Sequence, residues 1–527
     1  MQNLVFLKIV DGELHKLHYF PQDIWSLPPA LRYLDHKVFE NINNLGFNTS
    51  ADEVSHKLHF PQDIKSLPTA LRYLEWWNYP LKSLPSNFVP QNIVELKMPH
   101  NKLKKLWSGV QNLGNLKHID LSFSYRLSQI PELSCAPKLE SIILESCWSL
   151  NSVPPLKFLI VDEHTRSAEP WNFEHGRKHG TLNFDGCSGL KSLPNITGNI
   201  KYIKLCSTAV KELPSSISSL ENLISLDLSN CELKNLPSFK YLYRLIELRI
   251  SDCKNLQSLP ELPLSLRLLD ACRCTSLKTV SNSISRQVEG CWNDNQVTPD
   301  TEFLFGNCSK LDQTARTQIM TQSRIKILHT ATISVSQSEE MSRVFCGKPS
   351  VSCCFPGNKI PYWFSKQDER SLITIKLPPN WHNNNFLGFA LCVVSKFSYP
   401  TSLASSRFSS MLSPLKRAYT AYHFEVKCEI LFRSNRGETS PKFLCPFQDE
   451  SSGRRRSFVR SLSSSHVLMW YKYEDYHEYL DATEVSFEFQ VLFNKPGVFY
   501  YCDDYIRRCG IRFLYLQDAD AETNGHL

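Results

Sequence analysis

The sequence predicts an α/β repeat solenoid followed by an all-β sandwich, and three observations carry that expectation. Apolar residues recur at a spacing neither helical nor strand-like, one small polar or thiol residue marks the same slot in successive units, and beyond about residue 286 the repeat gives way to alternating apolar runs. In the stretch from Asn115 to Pro131, Leu116, Ile119, Leu121, Leu127 and Ile130 fall at offsets 0, 3, 5, 11 and 14, with Ser124 between them. Periods of 3.6 and 2 both fail to reproduce this spacing. A short strand with two inward side chains, a turn over a small polar residue and an irregular return that buries two more do reproduce it, which is the plan of a leucine-rich repeat in a horseshoe solenoid.

The same ruler gives repeat starts at Leu71, Ile93, Leu116, Leu139, Ile200, Leu223, Leu245 and Leu266. The one wide gap, Leu139 to Ile200, holds a degenerate unit starting near His179, whose Leu182, Phe184, Cys187, Leu190 and Leu193 keep the phase. Cys147, Cys187, Cys231, Cys253 and Cys274 stand eight residues after their unit's start, a slot that Ser124 and Thr208 fill elsewhere. That recurrence predicts a small inward side chain donating a weak hydrogen bond to turn carbonyls. It accounts for five of the 18 cysteines. The pairs Cys272/Cys274 and Cys353/Cys354 lack the matching second pair that a zinc site requires.

At 527 residues the chain has room for two or three domains. A net charge of +7 over that length is too weak to argue for nucleic acid, and no run approaches the roughly 18 apolar residues that span a bilayer. The start has too short an apolar core for a secretory signal, so a cytoplasmic or nuclear location is expected. The serine-rich basic cluster with Arg454, Arg455, Arg456 and Arg460 reads as a solvated loop in preference to an import signal or a phosphorylatable loop. The sequons at Asn48, Asn195 and Asn307 would matter only in a secreted protein.

In chain order, residues 1–70 form a degenerate segment in which the stretch beginning at His15 returns at His56, one residue shorter. The first copy is a tandem duplication or a gene-model artefact. Leu4, Leu7 and Ile9 resemble a further repeat at the start, with no polar cap before it, so the chain reads as truncated there. Residues 71–285 form the solenoid, interrupted by a charged and aromatic insert at 155–178 that is either a projecting loop or a diverged repeat. Residues 286–527 form the β domain. Its expected strands lie in Leu372–Pro379, Phe386–Val394, Tyr422–Phe432, Glu484–Phe493 and Cys509–Leu516, with one helix between Cys308 and Leu328.

The stretch Leu71–Ser134 closely resembles the leucine-rich repeats of plant TIR-type intracellular immune receptors. Phe303–Asp312, Cys354–Gln367, Ile375–Trp381, Phe386–Val394 and Cys509–Leu516 resemble the C-terminal jelly-roll and Ig-like domain, C-JID, that follows those repeats. The resemblance implies a jelly-roll/Ig-like sandwich and a sensing role in plant defense: recognition of a pathogen effector protein, in trans with a full-length TIR-type receptor. The family's TIR and nucleotide-binding domains have no counterpart here. No GxxxxGK[ST] phosphate loop occurs among only 19 glycines, so no cofactor and no NAD-cleaving activity carry over. A stand-alone interaction scaffold or a truncated receptor product without signalling is the alternative.

Between the inward leucines, offsets 2, 4 and 6 face a partner. They select Tyr73, Glu75, Trp77, Glu95, Lys97, His118, Asp120, Ser122, Tyr202, Lys204, Glu247, Arg249, Leu268 and Asp270. Aromatics and arginine anchor interfaces, which puts Trp77, Tyr202 and Arg249 first. In the β domain Pro356 and Gly357 form a turn, Trp363 and Phe364 read as core, and Lys359, Lys366 and Gln367 read as exposed contacts. The 16 histidines are scattered and no serine lies in a GxSxG elbow, so the protein reads as non-enzymatic.

Overall fold

The computed structural model describes residues 6–9, 67–158, 180–281, 300–336, 348–396, 423–445, 462–495, 498–501 and 505–518, apart from positions 68, 80, 108, 384, 435, 436, 439, 440 and 463. The first copy of the His15/His56 duplication and most of the second, nearly all of the 155–178 insert and the Arg454–Arg460 cluster lie outside the described residues. The chain divides into two compact units, Met1–Leu248 and Arg249–Leu527.

In the first unit each strand begins two residues after a repeat start, as the ruler requires. The strands Tyr73–Trp76, Glu95–Lys97, His118–Asp120, Ser141–Ile143, Thr181–Asn183, Tyr202–Lys204 and Ser225–Asp227 pair in parallel, in sequence order. Phe6–Ile9 adds a strand against Tyr73–Trp76, so the opening fragment does take the repeat's strand geometry. Leu116, Ile119, Leu121 and Leu127 are essentially inaccessible, as are their counterparts in the neighbouring repeats.

Pairing does not stop at these three-residue strands. The residue at offset 7 is left-handed in every described repeat: Asn78, His100, Phe123, Ser146, Gly186, Ser207, Asn230, Asp252, Arg273 and Asn307 all have φ between 55° and 73°. That reversal turns the N–H toward the following repeat. Phe123 N donates to Glu145 O at 2.6 Å, Ser146 N to Asp185 O at 2.6 Å, and Ser207 N to Ser229 O at 2.8 Å. The slot at offset 8 then works as the sequence predicted. Cys147 Sγ donates to Leu121 O at 3.2 Å, Cys187 Sγ to Leu144 O at 3.0 Å, and Cys231 Sγ to Leu205 O at 3.1 Å. Each thiol reaches the offset-5 carbonyl of the preceding unit. Burial pushes the Cys231 thiol up to about 11, which keeps its proton available for donation. Ser124 Oγ in the same slot makes no hydrogen bond among the described residues.

The α/β expectation needs correction on the return side. Among the described residues the return segments of the first unit contain one short 3-10 helix, Ser215–Ser219, and the two-residue strands Leu156–Lys157 and Ile196–Thr197. Prolines at 85, 90, 131, 154, 194, 214 and 237 explain this, since each removes a helical N–H and disfavours helix in the residue before it.

The second unit continues the repeat pattern. Leu268–Asp270 pairs in parallel with Asp300–Leu304, and Cys308 Sγ donates to Ala271 O at 3.0 Å, so one more repeat turn lies where the 23-residue period fades from the sequence. Asp300–Leu304 pairs in parallel with Ser350–Pro356, and pairing then becomes antiparallel through Ser465–Lys472, Phe386–Lys396, Ile506–Tyr515 and Lys366–Asp368. A second antiparallel sheet runs Leu372–Lys376, Ala482–Lys495, His423–Ser434 and Gly437–Glu438. The two sheets share one core: Phe389 meets Phe487 at 5.0 Å between ring centroids and Trp470 meets Phe489 at 5.9 Å. All five expected strands are present.

The helix spans Gln313–Ser336, longer than the sequence suggested, and is capped by Asp312, whose Oδ1 accepts from Ala315 N at 2.7 Å. Ala315, Ile319, Ser323, Ile327 and Ala331 form its buried stripe against the first sheet. His466, wholly buried, accepts Asn307 N–H at Nε2 (2.9 Å) and lies 2.9 Å from Ser464 O through Nδ1. Burial lowers its pKa to about 4, so a neutral Nδ1–H tautomer holds the last left-handed turn.

If the thiol slot is structural, Cys147→Ala will lower the stability of the folded chain by roughly 1–2 kcal/mol in urea unfolding. Cys135→Ala, at an exposed thiol, will change it by less than about 0.5 kcal/mol. Equal midpoints for the two variants would remove the slot from the account.

Candidate protein-interaction surface

The ladder fixes where the variable side chains stand. In one row Tyr73 lies opposite Glu95, Glu95 opposite His118, His118 opposite Ser141, Ser141 opposite Thr181, Thr181 opposite Tyr202, and Tyr202 opposite Ser225. In the parallel row Glu75, Lys97, Asp120, Ile143, Asn183, Lys204 and Asp227 follow one another. Strands about 4.8 Å apart put Tyr73 and Tyr202, five steps apart, about 24 Å from each other. The selected residues of this unit therefore form separate patches on one surface.

The first patch is Glu75, Trp77 and Lys97. Glu75 Oε1 accepts from Trp77 Nε1 at 2.9 Å and lies 3.2 Å from Lys97 Nζ, which stands 5.7 Å from the Trp77 ring centre. The second is His118 and Asp120. His118 Nδ1 is 2.9 Å from Ser141 Oγ, and Asp120 Oδ1 accepts from both the N–H and the hydroxyl of Ser122. Ser122, chosen as partner-facing, is buried at 7% exposure and serves as this brace. The third groups Tyr202, Lys204 and Glu247. Burial first, and the Glu247 carboxylate second, raise the Tyr202 hydroxyl above its ordinary range, and Ser225 Oγ donates to Glu247 at 2.9 Å.

Between the second and third patches sits an acidic group that offset reasoning missed. Asp185, at offset 6 of the degenerate repeat, accepts Cys206 N–H at 2.8 Å. Burial pushes its carboxyl up to about 6, with Asp227 and Glu145 adding to the rise and Lys204 opposing it. The irregular start of that repeat hid its offset in the sequence.

Within the second unit, Arg249 and Asp270 are half-buried and Leu268 is buried in the core shared by the two sheets, which removes Leu268 from the candidate contacts. Lys359, Lys366 and Gln367 are exposed, the last two on an edge strand, where Gln367 Nε2 donates to Phe364 O at 3.0 Å. Trp363 and Phe364 are buried 4.1 Å apart, as core residues. Among the described residues there is no group of three or more His, Cys, Asp or Glu able to hold a metal, and no helix is long and apolar enough to cross a membrane.

A parallel repeat ladder with a two-sheet β domain after it defines a leucine-rich-repeat protein with an appended β module. The C-JID domain family matches residues 355–520, and the leucine-rich repeat family matches residues 94–111. The chain combines the two and is similar over most of its length to plant disease resistance proteins. It is 26% identical to disease resistance protein RPS4B of Arabidopsis thaliana, over 93% of this chain and 45% of that protein. It is 27% identical to disease resistance-like protein DSC1 of the same plant, over 92% of this chain and 50% of that protein, and 26% identical to disease resistance protein RPS4, over 85% and 41%. The chain thus spans about half the length of the curated relatives it matches.

Asp185 gives a pH test. Its carboxyl has a higher affinity for a proton in the folded chain than in the unfolded one, where carboxyls titrate near 4. Its contribution to stability is therefore complete below about pH 4 and is lost as pH rises through 6. Asp185→Asn keeps an acceptor for Cys206 N–H, and will raise the melting temperature at pH 7.5 by a few degrees, about 1 kcal/mol after screening. It will also flatten the melting profile between pH 4.5 and 7. An unchanged profile would show that Asp185 is not desolvated.

Proposed function

We propose that this chain is the ligand-recognition module of a plant intracellular innate immune receptor, acting in the cytoplasm or nucleus. It binds a pathogen effector protein through the ladder surface of the repeats and through the β domain after about residue 285, for which a jelly-roll/Ig-like sandwich is the implied topology. The observation that carries this reading is the co-occurrence, in one order, of leucine-rich repeats and a C-JID domain in a chain aligned over 85–93% of its length with disease resistance proteins. The row geometry supports it physically, because inward leucines hold the scaffold and leave Tyr73, Glu75, Trp77, His118, Asp120, Tyr202, Lys204, Glu247 and Arg249 to vary with the ligand. Lys359, Lys366 and Gln367 supply the corresponding positions on the β domain. Signalling would pass to a partner in trans, such as a full-length TIR-type receptor.

The test is direct binding of the purified full chain to a panel of secreted pathogen effectors by biolayer interferometry. At least one effector is expected to bind, and Trp77→Ala combined with Tyr202→Ala is expected to weaken it at least tenfold, as for interface anchors. Binding that is indifferent to both substitutions, or an entire panel without a ligand, would contradict the reading.

A further inference from the structure

The left-handed position after each strand needs no ring. Asn78, Ser146, Gly186, Ser207 and Asn230 all fill it in the first unit with small side chains. Two consecutive repeats nonetheless carry His100 and Phe123 there, at φ 57° and 60°, where a bulky side chain is disfavoured. Their rings stack at 4.7 Å and 9°, and His100 also faces Trp77 at 6.2 Å and 26°. Two residues further along the turn, where other repeats have Ala209, Glu232 or Lys254, stand Tyr125 and Trp148. Those rings pack across neighbouring repeats at 4.4 Å and remain 42% and 55% exposed. The scaffold explains none of these rings.

The same turns carry Lys102, Lys104, Lys105 and Arg126, all exposed and without an ion pair among the described residues. A second backbone ladder makes the rim rigid: Lys104 N donates to Lys82 O, Ser128 N to Lys104 O, and Asn151 N to Ser128 O. Ser149 Oγ donates to Tyr125 O at 2.6 Å. Asp120, whose charge acts on His100, is on the ladder surface and engaged by Ser122.

We infer that this aromatic and basic rim is a docking surface for an extended acidic segment of a protein partner. It goes beyond the ladder-surface reading by assigning a second surface with its own chemistry. Charge complementarity sets the sign. The net charge of only +7 over 527 residues sets the class of macromolecule, because it is too weak to favour nucleic acid over a protein segment. Stacked rings present their edges, which carry partial positive charge and suit carboxylates. From the repeat at Leu71 to that at Leu139 the rim runs three strand spacings, about 14 Å, the length of four or five extended residues.

The test measures fluorescence anisotropy of a labelled six-residue peptide of glutamate and tyrosine titrated with the full chain at low salt. Binding is expected, weakening as salt rises. Lys102→Glu with Lys104→Glu is expected to weaken it at least tenfold, and Tyr125→Ala with Trp148→Ala at least threefold, each with circular-dichroism melts showing a folded protein. Lys254→Glu, at the equivalent turn position of a distant repeat, and Tyr202→Ala on the ladder surface are expected to leave the affinity unchanged. Absence of binding, or loss from charge reversal with none from the aromatic pair, overturns the inference. Equal, rim-dependent binding of a six-nucleotide oligo-dT also overturns it in favour of nucleic acid. Because Tyr202 is a control here, failure of the rim leaves the ladder-surface proposal standing.

Discussion

One buried carbonyl at each turn organises the solenoid. After the three-residue strand ends, the carbonyl at offset 5 points into a dry interior where an unmade hydrogen bond is costly. The N–H at offset 8 of the same repeat reaches it at Leu144 and Leu205, and the next repeat adds a thiol donor, as Cys147 does for Leu121 and Cys231 for Leu205. Thr208 Oγ1 and Asn101 Nδ2 satisfy the same carbonyl from within their own repeats, at Leu205 and Met98. Reaching it requires the chain to reverse at offset 7, which is why residues as unlike as Asn78, Phe123 and Ser207 share a left-handed backbone. Each repeat is thereby bonded to its neighbour at the turn as well as along the strand, and the ladder that results carries variable side chains at fixed spacings.

Much of this was legible in the sequence because it rests on periodic burial. Leucine spacing located the strands, although most end before the second inward leucine, and the recurrence of cysteine and threonine at one slot pointed to the donor. The left-handed turn was hidden, since no single residue type marks it and among the described residues of the first unit glycine appears there only at Gly186. His100 and Phe123 fall outside the partner-facing offsets, and only the turn geometry shows them face to face. The repeat beginning at Asp300 was hidden for another reason: polar Asp300 stands where an inward leucine is expected, and its strand is recognisable only through pairing with Leu268–Asp270. The return side was misjudged because the α/β label carries helices that its prolines forbid.

In the second unit a parallel ladder turns into an antiparallel sheet without a break. Ser350–Pro356 is the pivot, parallel to Asp300–Leu304 on one side and antiparallel to Ser465–Lys472 on the other. The C-JID match begins at residue 355, at the end of that strand. Long-range pairing of this kind leaves no local signature, whereas the alternating strands His423–Ser434 and Ala482–Lys495 were readable from period 2 alone. Candidate contacts divide in the same manner: offsets could nominate Trp77 and Tyr202, but only the fold could bury Leu268 and Ser122 or gather carboxylates around Asp185.

Native-state hydrogen exchange across the first unit tests most directly the claim that the repeats lock together through their turns. If the left-handed residue and the donor slot bind one repeat to the next, the amides of Phe123, Ser146 and Ser207 will exchange as slowly as those of the strand residues Ile119, Ile142 and Ile203. Fast exchange at the three turn amides, with protection confined to the strands, would contradict the account.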